Sequence, residues 1–233
     1  MEVDRIAEEV ESLTPGEALE TVFRVNKSKS VCLTCSFQIE GMVLAHLLKE
    51  RLPALPVLFL DTGYHFAQTY EYRDRMTRQW SLNVINVLPA QTVAQQESAF
   101  GILYRNETTR CCQMRKVEPL MGALEPYDIW FTGLRREQSP TRKHMKKVEL
   151  HRLPTGKTLW KVNLLADWTW KQVWKYASEN GIPHLPQYDE GYLSIGCLPC
   201  TVLPSDPNNS RSGRWGGTKL ECGIHTFSTR AER

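Results

Sequence analysis

Ser30-Val-Cys-Leu-Thr-Cys-Ser-Phe-Gln-Ile-Glu-Gly-Met-Val-Leu-Ala-His-Leu-Leu48, followed by Pro56-Val-Leu-Phe-Leu-Asp61, decides the fold of this chain. A short apolar strand enters a polar turn, the turn opens an apolar helix, and the chain returns as a second strand that is apolar on both faces. The same alternation continues as a helix over 66–79, a strand over 83–88, a helix over 112–124, a strand over 128–132 and a helix over 169–179 closed by Asn180-Gly181 and Pro183. Strands alternating with helices specify an α/β fold: a single domain with a parallel twisted sheet flanked by helices.

Outward from this core, Thr14 reads as an N-cap and Pro15 as the first position of a helix, which makes 1–26 an N-terminal helical segment. Residues 27–184 form the α/β core. Beyond it, 185–233 is rich in Pro, Gly, Ser and Asn and lacks periodicity, the signature of a functional or flexible C-terminal tail. A length of 233 residues suits one α/β domain with such an extension.

The composition, 41% hydrophobic and 24% charged, is that of a soluble globular protein. A net charge of +3 without a basic block gives no reason to expect nucleic acid as a partner. No apolar run reaches the roughly 18 residues of a membrane helix, and the mixed, acidic start does not read as a signal peptide, so a cytoplasmic protein is expected. In a reducing compartment, seven cysteines point to metal or redox chemistry rather than disulfides. The oligomeric state stays open, a homo-oligomer included.

In open parallel sheets, anions bind where strands end and helices begin. The turn at Ser36 follows the first strand and reads either as a phosphate cradle or as a plain N-cap. The second strand ends in Asp61-Thr62-Gly63-Tyr64-His65. The fourth ends in Gly133-Leu-Arg-Arg-Glu-Gln-Ser-Pro-Thr-Arg142, where Gly133 would let a base approach the backbone and Arg135, Arg136 and Arg142 could present forked donors to an oxyanion. An arginine run can equally be a solvated surface.

The tandem Cys111-Cys112 and the two-spaced Cys197 and Cys200 make a four-thiolate set. Adjacent side chains in a helix diverge by about 100°, which suits two corners of a cluster better than one zinc ion. On spacing alone, zinc, an iron-sulfur cluster and coincidence all stay open. Lys116 falls one helical turn after Cys112 on the same face, either offsetting thiolate charge or simply exposed. In the tail, Cys222 is flanked by Lys219 and His225, cations that would favour a thiolate, and Arg211 and Arg214 could clamp an anion as the tail closes over it.

Ser36-Phe37-Gln38, Asp61-Thr62-Gly63-Tyr64 and Gly133-Leu-Arg-Arg-Glu-Gln-Ser139, in this order, resemble the sulfonucleotide reductase family, whose fold is adenine nucleotide alpha-hydrolase-like with a modified phosphate loop. Arg110-Cys-Cys-Gln-Met-Arg-Lys116 with Cys197-Leu-Pro-Cys200 is similar to the pattern that holds a [4Fe-4S] cluster in its adenylyl-sulfate-reducing members, and Glu221-Cys-Gly-Ile-His225 is similar to its catalytic motif.

The resemblance implies adenylyl sulfate as substrate, Cys222 as the nucleophile with His225 as a second catalytic residue, and cluster ligation by Cys111, Cys112, Cys197 and Cys200. It further implies substrate contacts from Ser36, Phe37, Gln38, Asp61, Thr62, Lys116, Gly133, Arg135, Arg142, Arg211 and Arg214. With no fused redoxin domain in this sequence, a separate thioredoxin or glutaredoxin would supply the reducing thiol. Absence of Lys or Arg between Thr34 and His46, with Glu40 present, argues against a 3'-phosphate on the nucleotide, although some members accept both forms. Rival readings are a zinc-containing pyrophosphatase-type enzyme acting on tRNA and a nucleotide-binding redox sensor. Two departures stand out: the extra pair Cys32 and Cys35 at the phosphate loop, and Gly216-Gly217 where the family often carries aromatics.

Overall fold

Six strands, β1 (Val31–Thr34), β2 (Pro56–Leu60), β3 (Asn83–Val87), β4 (Ile129–Thr132), β5 (Val148–Arg152) and β6 (Thr158–Val162), form one sheet in the order β3-β2-β1-β4-β6-β5. The computed structural model describes residues 2–26, 29–206 and 209–225. Five of the strands run parallel, as the alternating pattern requires, while β5 returns antiparallel along β6.

That β5–β6 hairpin has no clean signature in the sequence. On β5 Leu150 is exposed while His151 is buried, and on β6 Lys161 is buried, so polar residues occupy positions that normally announce a strand. The N-terminal helix α1 (Glu2–Val10) packs on β5, and α2 (Pro15–Val25) packs against α1. Thr14 and Glu17 form a reciprocal capping box at the start of α2. The buried Lys147 ammonium donates to the Leu13 carbonyl at 2.6 Å, and Arg136 pairs with Glu11, fastening this segment to the core.

On one face of the sheet lie α3 (Ile39–Lys49), α4 (Ala67–Trp80) and α9 (Trp170–Glu179), with α3 packed against α9. Nearly every residue of α3 is buried, which explains why it is apolar all round. Phe37 meets Phe59 and Tyr72 edge-on, with ring centroids 5.7 and 6.4 Å away. The opposite face packs Leu58 and Trp130 against Leu120 and Leu124.

Between β3 and β4 the chain makes α5 (Val93–Phe100), α6 (Leu103–Asn106) and α7 (Thr108–Cys112), then passes through a π-turn, Gln113–Val117, into α8 (Glu118–Leu124). The helix expected from residue 112 therefore starts earlier and carries one wide turn. Among the described residues no helix is long and apolar enough to cross a membrane.

From β1 the chain runs outward through β2 to β3, then crosses back to β4 on the other side of β1, so the direction of winding reverses between β1 and β4. A crevice opens at this switch point, beyond the C-terminal ends of the strands.

Candidate active site

The crevice holds a cavity of about 190 Å³. Its floor is the β1–α3 turn, where Ser36 and Gln38 line the wall and Gln38 Nε2 donates to Ser36 Oγ at 3.0 Å. Gln38 Oε1 also accepts from the Ile195 amide at 2.9 Å, tying this turn to the C-terminal segment. Phe37, expected at the substrate, instead sends its ring into the core; its backbone takes the left-handed conformation, φ 59°, which a bulky residue tolerates only when packing holds it. It is the pivot of the turn, not part of the cavity wall.

Asp61 is also placed elsewhere than expected. Its carboxylate accepts from the Gly63 amide at 3.0 Å and from the Tyr70 hydroxyl at 2.6 Å, so it shapes the turn after β2. Thr62 does reach the cavity and lies 3.3 Å from Cys197 Sγ. The turn is held from outside by Arg115, which donates to the Thr62 carbonyl at 2.5 Å and to Gln96 Oε1 at 3.1 Å. Arg115 belongs to the π-turn, and the next residue is Lys116. The wide turn, a feature common at functional sites, thus serves two inward-pointing cations at once.

The β4 loop brings Gly133, Arg135 and Arg142 to the cavity. A Cβ on Gly133 would stand 3.2 Å from the backbone of Glu40 and Gly41, so this position must stay small for α3 to approach. Arg135 is buried against Glu40, at 3.0 Å, and Glu137, at 2.6 Å. Arg142 makes a two-point contact with Glu221, at 2.9 and 2.7 Å. All three guanidinium groups expected to face an oxyanion are therefore already matched by carboxylates, Arg136 pointing away to pair with Glu11.

A second, smaller cavity adjoins the first and is lined by Cys111, Cys112, Cys197 and Cys200, which the fold brings together from two distant segments. Among the described residues no three His, Cys, Asp or Glu side chains are placed to hold one metal ion. Four soft donors around a common space fit a cluster with several metal corners. Lys116 borders both cavities. Burial alone would lower its pKa, yet the Cys197, Cys222 and Cys112 sulfurs raise it above the ordinary lysine range, so it stays an ammonium.

The tail closes the cavity. Arg214 lies flat on Gly196: a Cβ there would come within 2.7 Å of three guanidinium atoms. The guanidinium stacks 4.6 Å from the Trp215 ring centroid and donates to Ser194 Oγ at 3.3 Å, while its buried Nε–H has no partner among the described residues. A buried arginine with a spare donor on a cavity wall is equipped for an anion. Arg211 also lines the cavity and stacks on Trp215, its Nε donating to the Leu220 carbonyl at 2.8 Å. Gly216 and Gly217, with φ 61° and 76°, turn the chain after Trp215, so this one indole organises both arginines where further aromatics were expected. Gly196→Ala is expected to displace the Arg214 guanidinium and lower kcat/KM as much as Arg214→Ala does, with an unchanged melting temperature; parallel kinetics on the two variants test this.

Cys222 lines the same cavity. The cations facing it are Lys116, Arg211 and Arg214. His225 does not contribute one. Its ring is enclosed and stacked on Trp130, with centroids 5.6 Å apart at 17°, and burial together with Lys161, Arg142 and Arg211 holds it neutral, well below an ordinary imidazole. Lys219 lies out at Thr109, 3.3 Å away. Cys32 and Cys35 sit in the cores on opposite sides of the sheet, so they do not form a chelating or redox pair. Burial pushes the Cys35 thiol up to about 12 and raises that of Cys32 as well.

Several wall residues were not among the site candidates read from the sequence, including His65, Trp170, Ser194, Ile195, Gly196 and Trp215. Only Trp215 had a signal, its place directly after Arg214. His65 is neutral, its pKa lowered to about 4 by burial.

Residues 30–203 match the phosphoadenosine phosphosulfate reductase domain family. An adenosine 5'-phosphosulfate reductase of Geobacillus kaustophilus is 41% identical across 84% of this chain and 83% of its own length. That of Bacillus thuringiensis is 41% identical across 94% and 93%. Among solved structures, a phosphoadenylyl-sulfate reductase from Candida auris superposes with a TM-score of 0.71 at 24% identity, covering 86% of this chain and 96% of that one.

Proposed function

Because the chain belongs to the phosphoadenosine phosphosulfate reductase domain family, we propose that it reduces adenylyl sulfate to sulfite and AMP, with Cys222 as the nucleophile and a [4Fe-4S] cluster on Cys111, Cys112, Cys197 and Cys200. The observation that carries this reading is the shared wall: Lys116 stands between the thiol cavity and the crevice into which Cys222 and Arg214 project.

The nucleotide occupies the crevice, its adenosine toward the β1 and β4 turns and its phosphosulfate toward Lys116, Arg211 and Arg214. The Cys222 thiolate attacks the sulfate sulfur; an S–S bond forms, the S–O bond to phosphate breaks, and AMP leaves with the bonding pair. The enzyme is left as S-sulfocysteine. A thiolate of thioredoxin or glutaredoxin then attacks Sγ of Cys222 and expels sulfite; the partner's second thiol resolves the mixed disulfide, so the dithiol supplies both electrons. Lys116, Arg211 and Arg214 offset the repulsion between an incoming thiolate and an anionic substrate. Bound in its cavity, the cluster would join the two cysteine-bearing segments and set the charge beside Lys116. The cytoplasm, a reducing compartment, suits a chain whose seven cysteines form no disulfide.

The Glu40 carboxylate lines the cavity, but Arg135 and Gln138 hold it, at 3.0 and 2.9 Å. A 3'-phosphate at that spot would meet a compensated pair rather than a bare anion. This favours a second reading in which the 3'-phosphorylated nucleotide is also turned over, with reduced efficiency.

Incubating anaerobically purified enzyme with sulfur-labelled adenylyl sulfate in the absence of thiol tests the proposal. Label should remain on the peptide containing Cys222 and be released as sulfite by reduced thioredoxin. A protein that turns over without ever carrying label would sink it.

A further inference from the structure

The residue directly before the nucleophile is a carboxylate, an unfavourable neighbour for a thiolate that must approach an anion. Glu221 is nevertheless enclosed, with a side chain 10% exposed. It accepts from Arg142 Nε at 2.9 Å and Nη2 at 2.7 Å, and from Thr141 Oγ1 at 2.8 Å, with Arg211 Nη2 at 3.9 Å. Burial alone would raise its pKa, but Arg142 and Arg211 hold it below the usual carboxylate range, so the clasp is ionic at neutral pH. Its charge is thereby matched before any substrate arrives.

Resting on the reductase reading above, we propose that Glu221 is a positioning residue: its ion pair with Arg142 is a releasable clasp that holds the tail closed and Cys222 in the cavity. The chemistry requires both states. S-sulfocysteine forms with the tail shut, and a protein-sized thiol reaches it only with the tail open. An apolar anchor would resist opening, because exposing it costs free energy in proportion to its area. A two-point ion pair behaves differently: geometry and partial dehydration make it strong when shut, and both ions regain full hydration when it parts.

The clasp is also wired to the nucleotide turn. Arg142 Nη1 donates to Gln138 Oε1; Gln138 Nε2 donates to Glu40 at 2.9 Å; Glu40 sits in the first turn of α3. Filling the crevice therefore bears on the residues that hold the tail.

The test uses cluster-loaded, substrate-free enzyme and measures how fast iodoacetamide alkylates Cys222, read on its peptide by mass spectrometry. Glu221→Gln keeps the shape and removes the charge. Alkylation should accelerate on the order of 10- to 100-fold, as expected for loss of a charge-assisted contact. S-sulfocysteine formation in a single turnover should slow by a similar factor, while sulfite release from preformed S-sulfoenzyme by thioredoxin stays at or above the wild-type rate. Glu221→Asp should fall between. Wild-type alkylation of Glu221→Gln, or equal slowing of both half-reactions, overturns the clasp. If wild-type enzyme takes no label from substrate, the reductase reading falls, and the alkylation rates still judge the clasp separately.

Discussion

Cys222→Ser is expected to lower sulfite formation on the order of 10³-fold or more, with iron content, visible absorbance and adenylyl sulfate binding at wild-type levels. The size of the effect follows from the nucleophile: a serine hydroxyl is far less acidic and less nucleophilic than a thiol, and the cations around it cannot make up the difference. Its selectivity follows from geometry. Cys222 lines the crevice, whereas the set proposed to hold the cluster lines the adjoining cavity, so the substitution removes no ligand. Reduced binding would signal a collapsed tail instead, because Glu221 and His225 fasten the tail on either side of the cysteine. Turnover within a few-fold of wild type would refute the covalent route.

The elements readable in the sequence were those whose burial is simple. Strands β1, β2 and β4 are covered on both faces and read as apolar runs; most of α3 lies within the core. The β5–β6 hairpin was not readable, because His151 and Lys161 are buried beside Trp130 and break the alternation. No residue pattern marks the π-turn either, yet it directs Arg115 to the β2 turn and Lys116 to the shared wall. The cysteine sets and the arginines were legible as residue types. Which arginines keep free donors was not: Arg135 and Arg142 look like Arg214 in sequence, and only their pairing with Glu40 and Glu221 separates them. Glu221 was legible only as a member of the Glu221-Cys-Gly-Ile-His225 motif; its role was not, since a carboxylate beside a nucleophile reads as an ordinary solvated residue until its partner, remote in sequence, is seen.

Lys116→Met should reduce the rate of S-sulfocysteine formation by about 10²- to 10³-fold, the usual loss when one preorganised charge-stabilising group is removed. The variant keeps the length and most of the volume of the side chain and deletes only the ammonium. Two unit charges about 4 Å apart interact by roughly 4 kcal/mol at the effective dielectric of a protein surface, enough to account for such a loss. Ground-state and transition-state roles are separable here. If Lys116 mainly held the nucleotide, KM would rise and kcat would stand; if it neutralises charge that accumulates as thiolate and sulfate converge, kcat falls with little change in KM. A third possibility, that it only balances the thiolates of the neighbouring cavity, predicts loss of iron in step with loss of activity. Lys116→Arg keeps the charge but must fit a larger planar head into a wall already shared with Thr62 and Trp215, so it should restore only part of the rate. Full iron content with undiminished kcat in Lys116→Met would leave Arg211 and Arg214 as the groups that make the thiolate's approach tolerable.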